Sequence, residues 1–130
     1  MDLAAHLSAI DLLRARPGCH ITDLQISEDF WEDDGSRRPR VRDDFGAGCQ
    51  ALVDLLTERW GEPEVLDLGG HLEQLVAGER VAPPLDALCG YVPELYLWRP
   101  DGRWTAIGVG QGGEELPFQL VAAVSDGDPR

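Results

Sequence analysis

Apolar residues recur at helix spacing twice in this chain and at strand spacing several times. Leu3, Leu7, Ile10 and Leu13 fall three to four residues apart behind Asp2, a residue type that caps helices, and Pro17-Gly18 ends the run. Residues 19–27 (CHITDLQIS) then alternate, with His20, Thr22 and Gln25 polar and Ile21, Leu24 and Ile26 apolar. This is a strand pattern whose period slips at Asp23-Leu24. Phe45, Cys49, Leu52, Val53, Leu56 and Trp60 hold helix spacing for four turns. Asp43 or Asp44 supplies the negative charge favoured at a helix N-terminus, and Gly61 and Pro63 close the element, so the spacing predicts a helix over 45–60.

Residues 64–68 (EVLDL) read as a short strand stopped by Gly69-Gly70. Over 71–93, Leu72, Leu75 and Val76 allow a short helix, Pro83-Pro84 break it, and Leu85 and Leu88 allow another turn. Residues 95–99 (LYLWR) run into Pro100-Asp101-Gly102, a turn in which Pro presets φ and Gly takes the left-handed conformation. Residues 103–109 return, and Trp98 and Trp104 bracket the turn at a spacing that suits a cross-strand aromatic pair beside it. Leu116, Phe118, Leu120, Ala122 and Val124 then share one face of a last strand. Glu114, Glu115 and Pro117 also suit the first turn of a helix, and the strand is the preferred reading. The whole predicts an α+β fold in one domain, 1–130. Two helices of the N-terminal half pack on one face of a mostly antiparallel sheet of about 4–5 strands, which ends in a C-terminal β-meander. Residues 125–130 are expected to be a flexible tail.

One stretch follows neither period. In residues 28–44 (EDFWEDDGSRRPRVRDD) seven acids stand against four arginines, leaving −3, and Gly35-Ser36 and Pro39 interrupt any regular element. A charged loop is expected there. Its arginines (Arg37, Arg38, Arg40, Arg42) sit among carboxylates, so local neutralisation explains them better than phosphate binding does.

Composition narrows the classes. The 130 residues carry a net charge of −13, which repels phosphate backbones and anionic membranes and favours a basic partner. All eleven basic residues are Arg and none is Lys, a bias that fits a bacterial coding sequence. No apolar run approaches the ~18 residues that span a bilayer, and the first residues lack a basic leader segment. Cys19, Cys49 and Cys89 are an odd, scattered set among apolar neighbours. They are expected to be reduced thiols that behave as small hydrophobes, with the protein in the cytoplasm.

Catalytic and metal signals are thin. Gly108, Gly110 and Gly113 spell G-x-G-x-x-G, but only seventeen residues follow, too few for the helix and strand that a dinucleotide site requires. A flexible connection or bulge is the expectation there. Cys19-His20, Cys49, His71 and Cys89 offer zinc-type atoms without a C-x-x-C or H-x₃-H pair, and neighbours in a strand point to opposite faces. No nucleophile elbow surrounds Ser8, Ser27, Ser36 or Ser125. No metal, cofactor or catalytic residue is expected.

What remains is recognition. Glu28, Asp29, Glu32, Asp33 and Asp34 surround Phe30 and Trp31, and aromatic anchors ringed by charge are the material of protein interfaces. The first expectation is a non-enzymatic interaction module, in which these seven residues meet a basic protein partner. The second is a small-molecule domain with a helix–sheet pocket lined by Trp60, Tyr96, Trp98 and Trp104. The third is an enzyme without a visible motif. The layout is similar in shape to many small bacterial immunity and antitoxin proteins, a likeness of architecture that fixes no residue.

Overall fold

A computed structural model describes residues 2–130. Helix α1 (Leu3–Arg14) is followed by strand β1 (His20–Ile26) and by the long helix α2 (Arg37–Trp60). Strand β2 (Glu64–Asp67) leads to two short helices, α3 (Gly69–Val76) and α4 (Leu85–Leu88). Strand β3 (Glu94–Trp98), a 3₁₀ turn (Pro100–Gly102), β4 (Trp104–Gln111) and β5 (Phe118–Ser125) complete the chain. The strands pair in the order β1-β5-β4-β3-β2, antiparallel throughout. The C-terminal strands do form a meander, and β1 adds to its far side against β5.

Local chemistry accounts for most of the boundaries. The Asp2 carboxylate accepts from the Ala5 amide at 3.0 Å and caps α1. His6, Ile10 and Leu13 are its buried stripe, while Leu3 and Leu7 pack on the margin. In the turn after β3, Asp101 and Gly102 both take positive φ (55° and 76°). Asp is among the few residue types besides Gly that tolerate this conformation.

Helix α2 begins eight residues before the periodicity of its apolar face. Arg37, Arg38, Arg40 and Arg42 therefore lie in its first turns, and the expected loop shrinks to 28–36. Pro39 does not break the helix because it sits in the first turn, where backbone N–H groups have no intrahelical acceptor to lose. Asp33 takes up two of those free amides: its carboxylate accepts from the N–H of Arg37 and of Arg38, each at 3.4 Å.

The sheet is covered on both faces. On one, Phe118, Leu120, Ala122 and Val124 of β5 and Ile107 of β4 meet α1 and the α2 stripe Phe45, Cys49, Leu52, Val53 and Leu56. Burying a side chain such as Leu52 or Leu56 contributes roughly 1.5–3 kcal/mol. On the other, Val121, Ala123, Trp104 and Ala106 meet Leu85, Leu88, Cys89 and Val92, from α4 and the segment after it. A strand with apolar residues on both faces is a central strand, and β5 is one.

Two sequence expectations change here. Trp98 pairs in register with Thr105, so Trp98 and Trp104 stand on opposite faces and do not form a cross-strand pair beside the turn. Trp98 packs edge-on against Trp60 instead, with ring centroids 5.7 Å apart, and its Nε1–H donates to the Gly61 carbonyl at 2.8 Å. Gly108 and Gly110 lie inside β4 and serve close packing rather than flexibility. A Cβ on Gly108 would sit 2.8 Å from the Glu94 carbonyl oxygen, and one on Gly110 would sit 2.7 Å from the Tyr91 ring.

Candidate functional site

The acidic segment leaves β1 pinned to the start of β5. The Ser27 amide donates to the Phe118 carbonyl and the Ser27 hydroxyl accepts from the Phe118 amide, both at 2.9 Å. Next, the Phe30 amide donates to the Glu115 carbonyl at 2.9 Å. The Phe30 ring turns inward, edge-on to Phe118 at 5.8 Å, and is buried. Phe30 therefore serves as a core residue, which removes it as a direct partner contact. Trp31 points the other way and is 62% exposed.

The five acids of this segment divide by role. The Asp33 side chain, only 5% exposed, caps α2 and pairs with Arg37 Nε at 3.4 Å. Glu28 pairs with Arg37 Nη1, and the Arg37 guanidinium lies 5.9 Å from the Phe30 ring centre. Asp29, Glu32 and Asp34 are exposed, and among the described residues no basic side chain pairs with them. Hydrogen bonds with Ser36 hold the Asp34 carboxyl below its ordinary value, so it stays ionised further into acid. Arg38 turns onto Phe118, 5.8 Å from its ring centre, and donates to Gln111 Oε1 at 2.9 Å.

The Phe30–Glu115 bond also brings in residues that sequence reasoning had not placed here. Glu114, Glu115 and Leu116 lie in the exposed β4–β5 connection, beside a segment more than eighty positions earlier. Leu116 is 41% exposed. The assembled edge thus presents Trp31 and Leu116 among Asp29, Glu32, Asp34, Glu114 and Glu115. Only the pairing of β1 with β5 joins the two segments, and no local signal foretells it.

The expected pocket is redistributed. Trp104 is buried on the face opposite α2 and lines none of the clefts described here. Trp60 and Trp98 border a polar cleft of about 570 Å³ beside the 3₁₀ turn. Tyr96 borders a different cavity of about 580 Å³, between the first half of α2 and the far ends of β3 and β4. Gly46, Cys49 and Gln50 line that cavity from the helix, and Glu94, Tyr96, Val109 and Gln111 line it from the sheet. Burial, with the Glu94 carboxylate adding to it, pushes the Cys49 thiol up to about 11. A thiol held protonated in this way is a poor nucleophile and metal ligand.

The remaining thiols and imidazoles do not converge. Cys19 is exposed rather than part of the core, and Cys89 is buried with its thiol 3.6 Å from the Asp86 carbonyl. His20 bonds the Pro17 carbonyl at 2.7 Å, and His6 bonds Gln25 at 3.3 Å. Among the described residues no three His, Cys, Asp or Glu side chains gather as a metal site. No helix among them is long and apolar enough to cross a membrane.

Fold and edge together define an α+β protein with a charged, aromatic-bearing rim. Comparison with protein-family models, with curated proteins and with solved structures finds no match to this chain.

Proposed function

We propose that this chain is a non-enzymatic binding module that recognises a basic protein through the edge formed by residues 28–34 and 114–116. The observation that carries the reading is the Phe30–Glu115 hydrogen bond. It joins two acidic segments around two exposed apolar side chains, Trp31 and Leu116. Carboxylates free of internal ion pairs steer a cationic partner, and a desolvated aromatic holds it once docked. This is the behaviour expected of an inhibitor- or immunity-type protein.

Capture from lysate of the native host, followed by kinetics with the purified partner, tests the reading. Association is expected to slow steeply with salt, as the Debye length falls from ~10 Å at 0.1 M to ~3 Å at 1 M. Neutralising Glu32 and Asp34 together (E32Q/D34N) lowers the on-rate, and Trp31→Ala raises the off-rate. An acidic partner, or kinetics that neither variant alters, overturns the proposal.

A further inference from the structure

The cavity beside α2 has features that the acidic edge does not require. Gly46 lies inside the helix, where glycine costs roughly 1 kcal/mol relative to alanine. No packing demand explains it, since a Cβ at Gly46 would meet nothing within 4 Å. The missing side chain leaves the cavity wall open on the helix side. The floor is apolar and aromatic, formed by Cys49, Tyr96, Val109 and Phe118. A volume of about 580 Å³ is in the range of small-molecule sites.

The charge on the rim is selective. Glu94 precedes Tyr96 at a two-residue spacing on β3, so both side chains share the α2 face of the sheet. After burial, the Glu94 carboxylate is what raises the proton affinity of both Cys49 and Tyr96, which places its field inside the cavity. Among the described residues Glu94 has no ion-pair partner. Asp67, at the end of β2, adds a second carboxylate to the lining. Arg42 is the one cation there; its side chain is more than half exposed and lies 3.8 Å from Asp43.

We propose that this cavity binds a small organic ammonium. Its apolar or aromatic body lies on Cys49, Tyr96, Val109 and Phe118, and its charged nitrogen meets Glu94 and Asp67. Aromatic faces and carboxylates both favour a cation, and the overall charge of −13 raises the local concentration of one. An anion of the same shape meets two carboxylates on the rim and is disfavoured.

The test is a titration of the full chain followed by amide NMR, using 2-phenylethylamine and 3-phenylpropanoate as probes. These carry the same ring on the same two-carbon arm and opposite charges. Saturable shifts at Gly46, Glu94, Val109 and Gln111 are expected with the amine, with Kd on the order of millimolar for so small a molecule. The carboxylate should bind at least about tenfold more weakly. Gly46→Leu fills the opening at a site where a side chain is unopposed, and should weaken the amine by about tenfold or more. Glu94→Gln keeps the shape and leaves only Asp67, so it should narrow the preference for the amine by several-fold. Trp31→Ala should leave the titration unchanged, which separates this site from the acidic edge. Equal responses to the two probes, shifts that spread over the surface without saturating, or indifference to both Gly46→Leu and Glu94→Gln would each overturn the proposal.

Discussion

At the end of the sheet where β3 turns into β4, Arg14, Arg99, Arg103 and Arg130 are all engaged. Arg103 donates to the carbonyls of Arg16 and Gly18 and pairs with Asp126, while Arg14 donates to the Pro100 carbonyl at 3.0 Å. Arg99 and Arg130 share Glu64 and Asp128, so residues 126–130 bond back onto the body of the protein. Arg14 also lies over the Trp60 ring at 4.9 Å. At the opposite end the same residue types are left available. Trp31 and Leu116 are exposed, Asp29, Glu32, Glu94, Glu114 and Glu115 have no ion-pair partner among the described residues, and a cavity opens beside Gly46. Abundance of charge and aromatics therefore says little about where recognition occurs. What distinguishes the ends is how many of the charged side chains already have an ion-pair partner inside the molecule.

The sharpest break between the ends is expected at their tryptophans. Trp98→Ala removes a buried ring and its bond to the Gly61 carbonyl, and should cost about 3–5 kcal/mol in denaturant unfolding. Trp31→Ala should stay within about 0.5 kcal/mol, as surface changes usually do. Similar losses at both positions would erase the distinction.

A second expectation concerns the cavity wall. The folded protein holds the Cys49 proton to about pH 11, against an ordinary 9.0, so the stability this confers is complete below pH 9 and lost as pH rises toward 11. At 1.36 kcal/mol per pH unit the loss amounts to about 2–3 kcal/mol. Comparing stability curves of the parent and Cys49→Ala between pH 8 and 11 isolates it, because the variant lacks that part of the alkaline decline. Parallel curves would mean that the thiol is already open to water.

Arg103→Met, at the engaged end, leaves the Arg16 and Gly18 carbonyls without their guanidinium donor and Asp126 without its ion pair, and should cost about 1–3 kcal/mol. Arg40→Met on the exposed start of α2 should change stability by no more than about 0.5 kcal/mol. The smallest effect lies in acid. The Gly18 amide, with Arg103, holds the Asp126 carboxyl below 3.8, and bonds with Ser36 do the same for Asp34. Both carboxyls bind protons more weakly folded than unfolded, so their contribution is present above about pH 4 and lost as pH falls below it. Asp126→Asn and Asp34→Asn should each flatten the acid limb of the stability curve, and curves that coincide with the parent would show that neither bond survives in solution.

Elements whose signals are local follow from the amino-acid order alone. Asp2 capping α1, the stripe from Phe45 to Leu56, the Pro100-Asp101-Gly102 turn and the alternation of β5 each depend on neighbours within a few positions. Trp31 was legible as a surface aromatic among acids for the same reason. Whatever required distant segments was not legible. Asp33 capping α2 across Gly35-Ser36 moved the helix start back to Arg37. Strand register put Trp98 and Trp104 on opposite faces. The β1–β5 pairing buried Phe30 and brought Glu114, Glu115 and Leu116 to the acidic edge, while the packing of α2 on β3 and β4 placed Tyr96 in a cavity away from Trp60 and Trp98. Side-chain period and capping are set along a few bonds of chain, whereas partnership between residues eighty positions apart is set by the free energy of the whole packed sheet.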